Sequence, residues 1–197
     1  LISIQSTCHL ALDSCRDDRT CLSDLKTVIH DCDIDRCDKP SCMESLKTFY
    51  RNESHEDLSL DAALCLCRKT SSRHDSCMLA KEKLHPICAQ RPPDSSTPVT
   101  EEIGGFSPLP ACHTIADLCK EDPECRSRLE FFEQSCAVDS VTRKCASKMK
   151  NCRTALLGIM GTPLRALCAC QGSDLQQLYE CLGWQRLLWL NPCVGGF

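Results

Sequence analysis

Apolar residues and cysteines recur along this chain with the spacing of amphipathic helices. One such face is formed by Cys21, Leu25, Val28, Ile29 and Cys32, and another by Cys125, Leu129, Phe132 and Cys136. Residues spaced in this way lie on one side of a helix, whereas a half-buried strand alternates apolar and polar residues. No segment alternates for long enough to predict a strand. The pattern therefore predicts an all-α fold.

Further helices are predicted at 41–50, 58–66, 74–84, 145–160 and 175–190. Asp122 followed by Pro123 predicts a helix start, because an acidic residue and a proline both suit the first turn. The last segment admits two interpretations. Its apolar residues either complete the core of a domain or form a partly exposed patch that contacts a partner.

Cysteine spacing divides the chain in two. Twenty of the 197 residues are cysteines, and the ten within 112–193 repeat the order of gaps of the ten within 8–88. A period of about 100 residues indicates a duplicated domain rather than a solenoid. Ten cysteines per unit allow five disulfides with no thiol left over.

We therefore expect two small disulfide-rich helical domains, at 1–88 and 112–197, joined by a Pro-rich linker at 89–111 that is extended and mobile in its middle. A core of this size supplies only a few kcal/mol by itself. The bridges are expected to make up the difference. In the chain-entropy model, closing a six-residue loop contributes ~2 kcal/mol and closing about 55 residues ~4 kcal/mol.

Charge and motifs exclude several classes of function. The formal net charge is −4, from 23 basic and 27 acidic residues, and no basic block indicates nucleic-acid binding. The chain carries no catalytic motif, so we expect neither an enzyme nor a cofactor. The pairs Cys65/Cys67 and Cys168/Cys170 have the look of metal or redox motifs, but each cysteine has partners in its own unit. They favour structural disulfides.

A run of aspartates imitates a calcium loop. Asp31, Asp33 and Asp35 match the first three ligand positions of an EF-hand, but Arg36 occupies the glycine position and Cys42 the place of the bidentate glutamate. This favours an acidic, solvated turn and predicts no metal site.

The cysteines also indicate the compartment. Disulfides persist in oxidising surroundings, so we expect an extracellular protein, either secreted or held at the cell surface by an anchor outside these residues. Nothing in the sequence is typical of a signal peptide or a membrane span. The sequon Asn52-Glu53-Ser54 predicts a glycan on Asn52 in a surface loop.

Ten cysteines per helical unit, the CxC pairs and a closing Cys-x(10–11)-Cys resemble the domains of the GDNF-family receptor alpha and growth-arrest-specific proteins. The resemblance covers essentially the whole chain. In the second unit it is carried by Cys125-Arg126-Ser127-Arg128-Leu129, Gly158-Ile159-Met160-Gly161-Thr162 and Asn191-Pro192-Cys193. That unit is similar to the third domain of such receptors, and the first unit then corresponds to their second, ligand-binding domain.

Sequence alone leaves many disulfide pairings open, and the resemblance selects one for each unit. In the first it implies Cys8–Cys65, Cys15–Cys21, Cys32–Cys42, Cys37–Cys88 and Cys67–Cys77. In the second it implies Cys112–Cys168, Cys119–Cys125, Cys136–Cys152, Cys145–Cys193 and Cys170–Cys181.

The resemblance implies a co-receptor that grips a GDNF-like cystine-knot dimer of the TGF-β superfamily and presents it to the RET receptor tyrosine kinase. The matching ligand surface is Leu25, Leu79, Ala80, Lys81, Glu82, Lys83 and Leu84. The better-known receptors carry arginines where this chain has Leu79-Ala80-Lys81, and lysine does not replace a bidentate guanidinium. The stretch from Lys81 to His85 is more similar to the divergent GDNF-receptor-alpha-like branch.

Two other functions remain open. The first is a Hedgehog co-receptor similar to the growth-arrest-specific protein, in which the acidic turn at 31–38 faces calcium held by the ligand. The second is an adhesion module that binds itself or matrix.

Overall fold

The structure, a computed structural model, describes residues 6–72, 74–90 and 109–194, and these residues are mostly helical. The first unit contains α1 (Cys8–Asp17), α2 (Arg19–Asp31), α3 (Lys39–Arg51), α4 (Glu56–Leu64), α5 (Ser76–Leu84) and α6 (Ile87–Gln90). The second contains α7 (Cys112–Glu121), α8 (Pro123–Ser135), α9 (Met149–Ile159) and α10 (Leu175–Trp189). The predicted all-α, disulfide-rich fold is confirmed.

The two units begin their second helix in the same way. The Asp18 carboxylate accepts a hydrogen bond from the backbone N–H of Cys21 at 2.8 Å, and Asp122 does the same for Cys125 at 2.9 Å. A side-chain acceptor at this position satisfies a backbone donor that the helix itself leaves free. The helix start predicted at Asp122 is therefore confirmed.

The predicted helix at 145–160 begins later than the sequence suggests. Cys145 forms an isolated antiparallel bridge with Val138, and α9 starts only at Met149. The residue is held in an extended pairing, so it cannot belong to the first turn of a helix. The apolar spacing continues across this boundary, which is why the pattern did not detect it.

All twenty cysteines are paired in disulfides, and the ten pairs are those that the resemblance implies. The long bridges Cys8–Cys65 and Cys112–Cys168 span 57 and 56 residues; the first ties the start of α1 to the end of α4, and the second ties the start of α7 to the segment between α9 and α10. The two domains therefore have the same pattern of disulfides, and each bridge lies within one domain.

The domains also share a hydrophobic core. Helices α3 and α4 of the first pack against α9 of the second, and buried residues of both, such as Leu46 and Leu156, belong to one apolar cluster. At the edge of this contact the Arg51 guanidinium donates to the Glu124 carboxylate at 2.8 Å and to the carbonyl oxygen of Gly158 at 3.3 Å. The interface is apolar at its centre and charged at one edge.

Both ends of the linker are attached to the second domain. The backbone N–H of Leu167 donates to the carbonyl oxygen of Gln90 at 2.9 Å, and that of Ala169 donates to Pro110 at 3.0 Å. Residues 91–108, which make up most of the predicted linker, lie outside the described residues.

One glycine is required for the contact between the domains. Gly161 follows α9 and has a φ of +73°, a backbone region that L side chains rarely adopt. A Cβ atom there would lie 2.7 Å from the carbonyl oxygen of Met43 and 2.8 Å from the backbone nitrogen of Lys47, both in α3. The two backbones approach so closely that no side chain fits between them.

We predict that Gly161→Ala lowers the free energy of unfolding by about 1–3 kcal/mol, because it introduces both backbone strain and an interdomain clash. Gly183→Ala is the matched control. A Cβ at Gly183, within α10, meets no atom within 4 Å, and alanine there favours the helix by up to about 1 kcal/mol. Urea unfolding of both oxidised variants measures the difference; equal midpoints would show that α9 and α3 do not meet in solution.

Candidate functional site

Helix α5 carries most of the ligand surface that the resemblance implies. It begins at the Asp75 carboxylate, which accepts a hydrogen bond from the backbone N–H of Met78 at 3.0 Å. One side of the helix packs on α1 and α2. The helix therefore presents one buried and one exposed face, and the seven candidate residues divide between them.

Three of the candidates cannot contact a partner directly. Leu25, Ala80 and Leu84 are 1–2% exposed and belong to the hydrophobic core. The Leu84 carbonyl oxygen also accepts a hydrogen bond from the hydroxyl of the buried Tyr50 at 3.1 Å. These residues hold α5 in place, and we correct their assignment from ligand contact to support of the helix.

The other four candidates lie on the exposed face of α5. Leu79 is 43% exposed, and Lys81, Glu82 and Lys83 are exposed beside it. Neither lysine has an ion-pair partner among the described residues. We refer to these four residues as the α5 face. It combines one apolar side chain with cations that are available to acidic groups of a partner.

The burial of Leu84 leads to a stability prediction. We expect Leu84→Ala to lower the free energy of unfolding by about 2–5 kcal/mol, since it leaves a cavity in the core. Leu79→Ala, on the same helix but exposed, should change it by no more than about 0.5 kcal/mol. Thermal and urea unfolding check both. A near-native Leu84→Ala variant would show that this side chain is not packed in the core.

Lys81 also lies at the edge of a cavity of about 520 Å³ between the two domains. We call this space the interdomain cavity. Its walls come from α3, α4 and α5 on one side, and from α9, the segment 160–167 and α10 on the other. Its apolar lining includes Leu46, Leu64, Leu66, Leu156, Met160, Leu188 and Trp189.

An arginine without an acidic partner lines this cavity. Arg165 donates from Nη1 to the carbonyl oxygen of Leu188 at 2.6 Å, and its guanidinium stacks on Trp189, 3.9 Å from the ring centroid. Its Nε is buried without a hydrogen-bond partner in the described part of the chain. The sequence carries no signal for this residue, because its partners Leu188 and Trp189 are distant from it in the chain.

His85 lines the same cavity and is kept neutral. Its Nε2 lies 2.9 Å from the carbonyl oxygen of Ala62, and because a carbonyl only accepts, Nε2 carries the proton. Burial, together with the nearby charge of Arg165, lowers the pKa of His85 from 6.5 to about 4. The imidazole therefore acts as a neutral donor at physiological pH.

The lowered pKa predicts a pH dependence of stability. Between pH 6.5 and about 4 the unfolded chain binds a proton at this histidine and the folded chain does not, so the free energy of unfolding falls as the pH falls through this window. We expect the drop between pH 7 and pH 5, measured by urea unfolding, to be smaller in His85→Gln than in wild type. His74→Gln, at an exposed position, should keep the wild-type drop; an equal drop in both variants would contradict the prediction.

Two aspartates of the predicted acidic turn, Asp31 and Asp33, have hydrogen-bond partners within the chain. Asp31 accepts hydrogen bonds from Ser45 and His30, and Asp33 accepts from the backbone of Asp35 and from Arg36. These hydrogen bonds lower the pKa of both carboxyl groups. These hydrogen bonds close a turn between α2 and α3, and they direct the carboxylates of Asp31 and Asp33 to donors within the chain.

A half-buried aspartate is joined in a row with a buried histidine and a buried serine. His55 Nε2 lies 3.0 Å from the Asp24 carboxylate and its Nδ1 lies 2.9 Å from Ser59 Oγ. Ser59 is fully buried and donates to the carbonyl oxygen of Phe49 at 3.2 Å. A nucleophile must be reached by its substrate, so this arrangement serves to hold α2, α3 and α4 together.

The sequon asparagine belongs to the same network. Asn52 Nδ2 donates to the Asp24 carboxylate at 2.8 Å, and its Oδ1 accepts from the backbone N–H of Ser54. The side chain is half-buried at the end of α3 rather than free on a loop. Glycosylation of Asn52 stays a prediction.

Two clusters of sulfur atoms lie where the CxC pairs suggested metal ligands. The sulfurs of Cys8, Cys67 and Cys77 lie within 4.8 Å of one another, and a matching cluster forms at Cys112, Cys170 and Cys181. Each sulfur belongs to a disulfide, whereas a zinc site needs thiolates. The clusters are places where two bridges pass close together.

Both interpretations of the last segment describe part of α10. Cys181 and Leu188 are buried in the second domain, whereas Leu175 and Tyr179, one turn apart at the start of the helix, are 81% and 80% exposed.

None of the described helices has the length and apolar character needed to cross a membrane.

Comparison with known proteins finds both a matching domain family and a similar solved structure. A family model described as the GDNF/GAS1 domain matches residues 112–193. A solved structure described as a growth factor/receptor complex is similar with a TM-score of 0.73 and 25% identity, over 96% of this chain and 92% of that chain. The second unit thus matches the GDNF/GAS1 domain, and the two cysteine-rich helical units together share the fold of that solved structure.

Two relatives are similar over most of the chain. The chain is 25% identical to mouse (Mus musculus) GDNF family receptor alpha-like over 95% of its length, which covers 48% of that protein. It is 29% identical to mouse GDNF family receptor alpha-3 over 81% of its length and 38% of that protein. The chain is thus similar to GDNF family receptor alpha proteins, and it spans less than half the length of these relatives.

Proposed function

We propose that this chain is the ligand-binding part of an extracellular co-receptor, which binds a GDNF-like cystine-knot dimer and presents it to the RET receptor tyrosine kinase. The observation that carries the proposal is the similarity of both domains together, over 96% of the chain, to a structure described as a growth factor/receptor complex. Ten disulfides support an extracellular location, since such bonds persist in oxidising surroundings.

The α5 face is the proposed contact with the dimer. Its helix is fixed by the buried Leu84 and Ala80, so the exposed side chains are held on a supported surface rather than on a loop. Lys81 and Lys83, which have no ion-pair partner in the part of the chain that the structure describes, are suited to carboxylates of a ligand. Lysines act as point charges and do not form the bidentate pairs that arginines form. We therefore expect a ligand different from those of the arginine-bearing receptors.

Binding of the oxidised protein to a panel of GDNF-family dimers, measured by surface plasmon resonance, tests the proposal. We expect one dimer to bind tightly, with the same affinity in calcium as in chelator. Hedgehog is included in the panel under both conditions. Binding to Hedgehog that chelator abolishes would replace the proposed function with the Hedgehog co-receptor, and no binding to any dimer at micromolar concentration would contradict the proposal.

The α5 face predicts which substitutions weaken this binding. Leu79→Ala and Lys83→Glu should each raise the dissociation constant for the dimer about fivefold or more, because truncating an interface anchor costs on the order of 1 kcal/mol or more. Thermal stability should stay near wild type. Lys150→Glu, an exposed position at the start of α9, is the control. Equal affinities in the three variants would place the contact elsewhere.

The RET step needs its own measurement. The RET ectodomain should bind to this chain only after the dimer has bound. Lys83→Glu should reduce RET binding by the same factor as it reduces dimer binding. Dimer binding without any retention of RET would leave a growth-factor binding protein and remove the RET step.

A further inference from the structure

The interdomain cavity has an apolar lining and an excess of positive charge. Three cationic side chains line it, Lys81 from the first domain and Arg153 and Arg165 from the second. Among the described residues that line it, none is aspartate or glutamate. His85 adds no charge, because burial lowers its pKa to about 4.

Arg165 is the group that most requires an anion. It is largely buried, keeps its charge at neutral pH with a pKa lowered by burial to about 10, and has no carboxylate within ion-pair distance in the described part of the chain. Only one of its three guanidinium nitrogens is hydrogen-bonded there, through Nη1 to Leu188. A buried charge without a counter-charge is unfavourable unless a partner compensates for it.

In a second cleft between the domains, by contrast, the arginines are paired with a carboxylate. Arg51 and Arg128 line that cleft, and both donate to the Glu124 carboxylate, at 2.8 and 3.3 Å. The pKa of Glu124 is lowered by these bonds. The same interface therefore supplies an internal carboxylate at one edge, whereas the described residues supply none at the interdomain cavity.

We propose that the interdomain cavity is a binding site for a small amphiphilic anion. Its acidic group pairs with Arg165, and its hydrocarbon part lies along Leu46, Leu156, Met160 and the ring of Trp189. A volume of about 520 Å³ is within the range of small-molecule sites, which are mostly apolar with a few placed polar groups. A carboxylate or a phosphate head group on one alkyl chain has this chemistry. The proposal is independent of growth-factor binding.

Isothermal titration with three twelve-carbon probes, below their micelle concentrations, tests the proposal. We expect saturable one-site binding of dodecanoate or dodecyl phosphate, and at least tenfold weaker binding of the uncharged dodecanol, because a hydrogen bond to a charged group contributes about 1.5–3 kcal/mol. The tighter of the two anions identifies the head group. Equal binding of dodecanol, or no saturable binding of either anion, would overturn the proposal.

Variants place the anion at Arg165. Arg165→Gln should weaken binding of the anionic probe at least tenfold, Arg165→Lys should weaken it less, and Arg186→Gln, at an exposed position on α10, should bind as wild type. If Arg165→Gln does not fold, the comparison of Arg165→Lys with Arg186→Gln decides. Wild-type affinity in a folded Arg165 variant would overturn the assignment.

Tryptophan fluorescence provides a second readout of position. The chain has two tryptophans, so Trp184→Phe leaves Trp189, beside the Arg165 guanidinium, as the only one. Its emission should change with the same saturation curve as the heat of binding. An emission that stays constant while heat is released would place the probe outside the cavity.

Discussion

The structure depends on disulfides that do what a large core does in other folds. Each domain has only short helices, and many of its most buried positions are cysteines, such as Cys8, Cys15 and Cys21. The Cys8–Cys65 bridge closes 57 residues, and in the chain-entropy model a loop of that length contributes ~4 kcal/mol by restricting the unfolded chain. Because the bridges hold the helices, few side chains are needed for packing within a domain. Others are left free to pack between domains.

The side chains that are not needed for packing within a domain are available to form the interface between the domains. The inner face of α9, with Leu156 and its neighbours, is shared between the second domain's own core and α3 and α4 of the first domain. Gly161 allows the end of α9 to lie directly on the backbone of α3. The two domains are thus separate in their disulfides and joined in their core. A surface such as the α5 face is consequently fixed relative to the second domain as well as to its own.

The sequence predicted what repeats along the chain and missed what arises between the units. Cysteine spacing and apolar periodicity predicted the helices, because both are local, and Asp122 was recognised as a helix start from its own chemistry. The resemblance placed Leu84 on the ligand surface, and nothing in the local sequence indicated that this side chain is buried in the core. Arg165 and His85 gave no signal at all, since their hydrogen-bond partners, Leu188 and Ala62, are more than 20 residues away in the chain. Residues whose environment is built by distant segments cannot be recognised from spacing alone.

Helix α5 is the common wall of the two proposed sites. Its outer side is the α5 face. Leu84 and Lys81 of the same helix line the interdomain cavity. Lys81 therefore belongs to both proposed sites, since it is exposed on the α5 face and also lines the interdomain cavity. A substitution of Lys81 would alter both sites, whereas Lys83 does not line the cavity and Arg165 is not on the α5 face. The two functions are separable at those two residues, and any coupling between them must pass through Lys81 and the position of α5.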